Sequence, residues 1–600
     1  MKTLHEHFSV AAIITELCRE RIKLMNSRHQ AHYLHRISSN QRSAGKSRLA
    51  LSEDLEGHFP SSKAWRKFRQ FPKRRNEQDP HAIALITLRK AVWTFIHKSP
   101  DEPWVKKLLE RVERIRSRAL LDPAFSFSPP LIVGALKKPK SHQYRPISIY
   151  GTDDKIIEKI TARYLRERLD PLFSESSLAY RARRGNGSMA ITHHDALFAI
   201  ANFLKEHSNL SVTEADYCNF MDSISHDVAR DSLDDLILQG RLLHPEFEVE
   251  SRALQIYDAY LASYSFKVQV LGQGLAALRK MDKHATFSWP EDALREMHGE
   301  NDDLTRIGIP QGGAMSCLIT NIVLNDVDRA VERVKETRKS EMLYQRYCDD
   351  MIALSPEKVT CQLAMEAYQA ESRRKKLPMH KPEEVCRNEE ISKSKSGYWD
   401  LKSKLTYSWS GDDDTGIPWI QFVGYQIKYD GKVRIRNKTL SKHTNKMTDL
   451  TNKLLDVINP RKKFKDGRPV YADGLRMSRE EILHSFQMKL VSMAVGRRTI
   501  GQPSPTSGAH IMPMCWAHGF KPLWEFPFNP GRLKELDRHL DRQLRRIRCR
   551  LQHYEDPPNS SEASGQPLQK KKFCGAPVSL YYQFAKSTKS KKADERSEHG

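Results

Sequence analysis

Long apolar runs are missing from this chain of 600 residues. No stretch approaches the roughly 18 consecutive apolar residues that a membrane span requires. Lys2 precedes an apolar segment, Val10 to Ile14, that is too short for the core of a signal peptide. Cysteine is scarce, with nine residues and no Cys-x-x-Cys pair, so neither a zinc ribbon nor a disulfide framework is indicated. Scattered thiols of this kind suit a reducing, cytosolic compartment, and the expectation is a soluble cytoplasmic protein without a membrane partner. Acidic residues are also in deficit, at 74 against 99 Lys and Arg, giving a formal net charge of +25. An excess of this size favours polyanion partners, nucleic acid first.

What is present divides along the chain. The length suggests two to four structural units. Residues 1–130 read as helices, with apolar residues at helical spacing in Ala82 to Ile96 and in Trp104 to Leu121. Between them Lys63, Arg66, Lys67, Arg69, Lys73, Arg74 and Arg75 are interleaved with Trp65, Phe68 and Phe71. Cations among aromatics suit a nucleic-acid backbone with stacked bases, and equally a basic loop anchored to the core by its rings. Leu131 to Ile149 reads as strand, basic turn, strand. Near the end Leu533, Leu536, Leu540, Leu544, Ile547 and Leu551 step by three and four, one apolar helix face in an Arg-rich segment, which suits packing within the molecule first, and otherwise a partner or RNA. His510, Cys515 and His518 are too loosely spaced to predict a metal site. Residues 557–600 form a basic, polar tail expected to be disordered.

The segment around which the rest is organised is Tyr347-Cys348-Asp349-Asp350, with apolar and aromatic residues on both sides. Strand interiors reject Asp and tight turns accept it, so the pattern predicts a β-hairpin carrying two carboxylates at its tip. Such a tip is a rigid place from which to offer oxygen ligands to Mg²⁺. Taken alone it would be only an acidic turn. It is accompanied, in order, by Asp216 within Ala215-Asp216-Tyr217-Cys218-Asn219-Phe220-Met221-Asp222, by Pro310-Gln311-Gly312-Gly313, and by Phe422-Val423-Gly424-Tyr425.

In that order these four segments resemble the successive palm motifs of reverse transcriptases, over residues 130–430. The resemblance implies an α+β right-hand polymerase with a fingers and palm core at 131–430, an insert at about 265–306, a helical thumb at 431–500 and a helical region at 501–556. It implies addition of dNTPs to a 3′-hydroxyl by a two-Mg²⁺ mechanism, with Mn²⁺ as a possible substitute. Asp216, Asp349 and Asp350 would be catalytic, with the backbone carbonyl of Tyr217 as a further metal ligand. Lys138 and Arg145 on the fingers hairpin would reach the triphosphate. Gln311 and Gly312 would pack against the nascent base pair, and Lys381 would protonate pyrophosphate. Phe422, Val423, Gly424 and Tyr425 would be the primer grip. Arg181, within a match to the family's template-side segment, joins Lys63, Arg66, Lys67, Arg69 and Arg74 as candidate nucleic-acid contacts. Where the family carries a ring against the ribose 2′-hydroxyl this chain has Met221, beside Phe220. A flexible thioether in that place predicts weaker exclusion of ribonucleotides.

The insert and the helical amino-terminal region look most like bacterial defence-associated reverse transcriptases, and within them the b subunit of the type-3 systems, relatives of retron and group II intron enzymes. That likeness implies antiphage defence with a non-coding RNA, a companion reverse transcriptase or a homo-oligomer, and a DNA product. Two other readings stay open: template-independent or protein-templated synthesis of the terminal-transferase kind, and a non-catalytic polymerase scaffold that binds RNA.

Overall fold

The computed structural model describes residues 2–37, 54–68, 80–137, 141–181, 191–300, 304–385, 401–412, 416–458, 477–495, 501–503, 510–511, 526–527 and 531–551. The chain forms two compact units, one of residues 1–16 and 109–423, the other of 17–108 and 424–600. The amino-terminal 130 residues are therefore divided between the units rather than standing apart. Among the described residues no helix is long and apolar enough to cross a membrane.

The first unit is built on an antiparallel sheet. β1 (Leu131–Leu136) and β2 (Gln143–Ile149) form a hairpin, with Leu131 opposite Ile149 and Ala135 opposite Arg145. β3 (Leu210–Ala215) is buried at every position but Ser211, as a central strand should be. β4 (Thr286–Phe287) comes from the insert and pairs parallel to β2, Thr286 opposite Gln143. β5 (Leu343–Tyr347) and β6 (Asp350–Ser355) are the predicted hairpin. With β7 (Lys404–Trp409) they make a four-stranded sheet in the order β5-β6-β3-β7. The register pairs Ala215 with Met351 and Tyr347 with Asp350. The end of β3 and the tip of the hairpin thus lie side by side at one end of the strands of one sheet.

Helices Ala314–Arg338 and Lys358–Arg374 pack on each other, and the second covers β3, β6 and β7. Through its first four turns the Ala314 helix buries Met315, Leu318, Ile319, Ile322, Val323 and Val327, which ties the loop before it to the core. Helix Thr152–Leu169 packs against the same helix and ends into a 3₁₀ turn, Asp170–Leu172, around Pro171. The insert is a small ordered layer. A π-type helical stretch Phe266–Gly274, helix Leu275–Arg279 and β4 share a core of Phe266, Val270, Leu278 and Phe287 with Ile132 of the fingers hairpin.

In the second unit, helices Ser62–Arg66 and Pro80–Lys98 pack together, with Trp65 buried and the Phe68 ring edge-on to Phe95 at 5.9 Å. The rings at 65 and 68 therefore anchor to the core, and Lys63, Arg66 and Lys67 are exposed beside them. β9 (Tyr425–Lys428) and β10 (Val433–Ile435) form a hairpin turned at Gly431, φ 79°. Helices Asn437–Ile458, Arg479–Val495 and Gly531–Leu551 pack as a group. The predicted apolar face of the last helix, Leu533 to Leu551, is buried throughout, while Arg538, Arg542 and Arg545 line a groove of about 640 Å³ with Glu535, Asp541, Leu440, Thr444 and His539. Cys515, His518 and the tail from 557 lie outside the described residues.

Candidate active site

Asp216 follows directly on β3 and is 7% exposed. Its N–H donates to Ser403 Oγ at 3.1 Å, and its carbonyl accepts the His380 N–H at 3.1 Å. The neighbouring Cys218 N–H donates to the Pro378 carbonyl at 2.8 Å, so that Tyr217 bridges antiparallel to Met379. In a bridge flanked by these two bonds the Tyr217 carbonyl points away from the 378–380 segment. The Tyr217 side chain is buried, its hydroxyl 2.7 Å from Ser372 Oγ.

Across the sheet, Cys348 and Asp349 make the two-residue turn and Asp350 opens β6 at an exposed position. Cys348 has φ 62°, a region that favours glycine and costs a side-chain-bearing residue energy. Arg346 holds it there. Its fully buried guanidinium donates to the Cys348 carbonyl at 2.7 Å, to both oxygens of buried Asp328 at 2.8 and 2.6 Å, and to Ser177 Oγ at 2.8 Å. The Asp349 carboxyl is pushed above the ordinary carboxylate range, first by burial and then by the charge of Asp216. The ammonium of Lys402 is hydrogen-bonded to Asp216 Oδ2. A repelling carboxylate pair with a cation already against one member is a donor set that fits a hard divalent ion. Among the described residues no three His, Cys, Asp or Glu side chains gather into a protein cage. The groups here that could hold such an ion are the carboxylates of Asp216 and Asp349 and the Tyr217 carbonyl.

A second group of residues flanks the carboxylates. Asn219 (φ 50°) turns the chain after Cys218. Phe220 is buried with its ring 5.0 Å from that of Tyr217, whereas Met221 is half-buried and its carbonyl accepts the Ile309 N–H at 2.8 Å. Gln311 Nε2 donates to buried Asp222 at 2.7 Å, and its carbonyl accepts the Ser148 N–H of β2 at 3.0 Å. Gly312 has φ 110°, which a side chain would strain. Glu158, itself buried, accepts the Met315 N–H at 2.5 Å at the start of the helix after this loop, and burial pushes its carboxyl up to about 7. On the fingers hairpin Arg145 is exposed; strand alternation puts Lys137 on its face, and Lys137 feels the charges of both Asp222 and Arg145.

Residues 136–383 match the protein-family model described as Reverse transcriptase (RNA-dependent DNA polymerase). That stretch is a reverse-transcriptase domain. The fold is accordingly the expected α+β right-hand polymerase. Among solved structures the chain is similar to the telomerase of Candida albicans in complex with a fragment of telomeric RNA, at 10% identity and a TM-score of 0.30, over 85% of this chain and 75% of that one. It is also similar to apo telomerase from Candida tropicalis, at 11% identity and a TM-score of 0.33, over 91% and 86%. No curated protein matches the chain.

Within the reverse-transcriptase domain the sheet brings Asp216 and Asp349 together, with Asp350 on the exposed side of the turn. Lys138 lies outside the described residues, as do Arg69 and Arg74. Lys381 is exposed, and it is Lys402, unforeseen from sequence, that reaches Asp216. The Arg181 guanidinium donates to the carboxylate and carbonyl of Asp170, both at 2.9 Å, and to the carbonyls of Ser174 and Ser177. It secures the segment from Asp170 to Ser177. Phe422 is buried at the end of β8 (Trp419–Phe422), and Tyr425 is buried at the start of β9. Between them Val423 (φ 44°) and Gly424 (φ 90°) turn the chain, a conformation that a β-branched residue adopts only under strain.

Proposed function

We propose that this chain is an RNA-directed DNA polymerase that adds deoxynucleotides to a 3′-hydroxyl with two Mg²⁺ ions. The observation that carries the reading is the convergence of Asp216 and Asp349 at one end of the strands of the central sheet, close enough that the charge of one raises the carboxyl of the other. Bound Mg²⁺ would stabilise charge on the attacking and leaving oxygens. Asp216, Asp349 and the Tyr217 carbonyl would hold it, with Asp350 as the supporting acid. Lys402 pairs with Asp216. Arg145 and the basic fingers hairpin, Lys138 included, take the triphosphate, a guanidinium doing so bidentately. Gln311 and Gly312 form the floor under the base pair, Met221 faces the sugar, and residues 422–425 hold the primer end.

The biological setting we propose is antiphage defence in the bacterial cytoplasm, with a non-coding RNA and a companion reverse transcriptase. It rests on the resemblance to the type-3 systems and on the net charge of +25. Nucleotide incorporation, measured for each dNTP and rNTP with and without RNA, tests the activity. Asp349→Ala with Asp350→Ala should lose several orders of magnitude in rate, because charge stabilisation supplies most of the acceleration. Full activity in a folded double mutant would overturn the assignment. RNA-independent incorporation would move the reading to template-independent synthesis, and an inert wild type that binds RNA would make it a scaffold.

A further inference from the structure

The insert raises the question of what its ordered layer does beside the fingers. Its stretch from Asp282 to Trp289 makes bonds in two directions. Toward the fingers, the Asp282 carboxylate lies 2.9 Å from His142 Nδ1 and accepts the Tyr144 hydroxyl at 2.9 Å. The Thr286 N–H donates to the His142 carbonyl at 2.8 Å, and Lys137 Nζ donates to Ser288 Oγ at 2.6 Å. His142 has φ 51°, a region sparsely occupied by residues with a side chain, and these bonds fix it there. Toward the palm, Asn219 Nδ2 donates to the Ser288 carbonyl at 2.6 Å, and the Trp289 indole N–H donates to the Asp222 carbonyl at 2.7 Å. Trp289 is fixed in turn by stacking on Phe266 at 5.1 Å.

We propose that residues 282–289 are a strap that sets the nucleoside triphosphate pocket before the nucleotide binds, with Ser288 and Trp289 as its positioning residues. The proposal rests on the polymerase reading above. The Gln311 loop joins the hairpin bearing Lys137 and Arg145 to the loop bearing Met221 by its bonds to Ser148 and Asp222. The strap is a second segment that bonds to both, and it holds the ammonium of Lys137 by a hydroxyl from outside the fingers. Ordering these groups in advance removes an entropic cost from nucleotide binding and not from chemistry. The strap therefore belongs to KM.

Steady-state incorporation by the full chain decides the matter, using Ser288→Ala, Ser288→Thr and Trp289→Phe. Ser288→Ala removes the acceptor of the Lys137 bond and leaves the backbone carbonyl. Trp289→Phe keeps a ring on Phe266 and loses the bond to Asp222. Each should raise the nucleotide KM by about fivefold to tenfold, the worth of one such hydrogen bond, with kcat within twofold. Ser288→Thr keeps the hydroxyl and should keep the wild-type KM. An unchanged KM in both Ser288→Ala and Trp289→Phe, or an equal rise in Ser288→Thr and Ser288→Ala, overturns the strap. If the wild type incorporates nothing, the polymerase reading fails and amide exchange judges the strap by itself. Faster exchange of residues 219–222 in Trp289→Phe then supports it, and unchanged protection overturns it.

Discussion

A methionine and a phenylalanine side by side go separate ways after the first aspartate. Phe220 is 3% exposed against Tyr217, and Met221 is left partly open beside the Gln311 loop. If Met221 faces the sugar, ribose exclusion rests on a side chain with three rotatable bonds, which can fold away for about 1 kcal/mol, roughly a tenfold barrier. The wild type should therefore incorporate ribonucleotides measurably, and Met221→Phe should tighten the dNTP-to-rNTP ratio of kcat/KM. Phe220→Ala should instead destabilise the fold by about 3–5 kcal/mol, as loss of a buried ring does, and leave that ratio alone. Discrimination lost in Phe220→Ala but insensitive to Met221 would put the gate at Phe220. Glu158 poses a different test. Burial raises its carboxyl to about 7, so the folded state favours the protonated form. Its contribution to stability is then fully present below about pH 4.5 and lost as pH rises through 7. Glu158→Gln should remove this dependence, so that thermal melts of mutant and wild type diverge as pH rises from 5 to 8, the mutant becoming relatively more stable. Parallel melting curves across that range would refute the assignment.

The element that carries the chemistry, the β5–β6 hairpin, depends on a buried ion pair. Arg346 and Asp328 are both fully buried, and the guanidinium fixes the carbonyl of the strained Cys348. Asp328→Asn leaves an uncompensated buried cation and should cost about 3–5 kcal/mol in denaturant unfolding. Arg346→Met with Asp328→Leu should recover much of that stability while activity stays low, because the Cys348 carbonyl has lost its donor. Recovery of both stability and activity would mean that the turn needs no such support. The hairpin itself was legible in sequence, since two acids between apolar runs have few other solutions, and so were the apolar helix faces from Leu533 to Leu551. Lys402 was not. It stands in a lysine-rich connection with no periodicity, and only the pairing of β7 with β3 delivers it to Asp216. Strand alternation from Arg145 could have singled out Lys137. Three of the four bonds of Arg181 run to backbone carbonyls, which carry no sequence signal, and only the fourth reaches a side chain, the Asp170 carboxylate. The insert announced itself only as excess length. Its meaning lies in Ser288 and Trp289, ordinary residues that matter through what they touch.

At the scale of the whole chain, a charge of +25 has to be accommodated by something other than internal pairing. Some cations are committed within the fold, as at Arg111 with Asp153, Arg346 with Asp328 and Lys404 with Glu214. Others are presented outward. Lys63 and Arg66 are exposed on one short helix and Lys67 just after it, and Arg538, Arg542 and Arg545 line one groove on another. If these groups contact phosphates, RNA affinity must fall with salt, because each contact releases condensed counterions. For a single strand each contact contributes about 0.7 to the slope of log affinity against log salt. Replacing Arg538, Arg542 and Arg545 together by Gln should therefore flatten that slope by about two and weaken binding at low salt. The triple change at Lys63, Arg66 and Lys67 should act likewise if the RNA also follows that helix. Because these side chains are exposed, neither triple mutant should lose folding stability by more than about 0.5 kcal/mol per site. Electrophoretic shift or anisotropy titrations from about 50 to 200 mM salt measure the slopes directly. A flat salt response in the wild type would mean that the charge serves no polyanion, and an unchanged slope in the arginine mutant would move the RNA path off that groove.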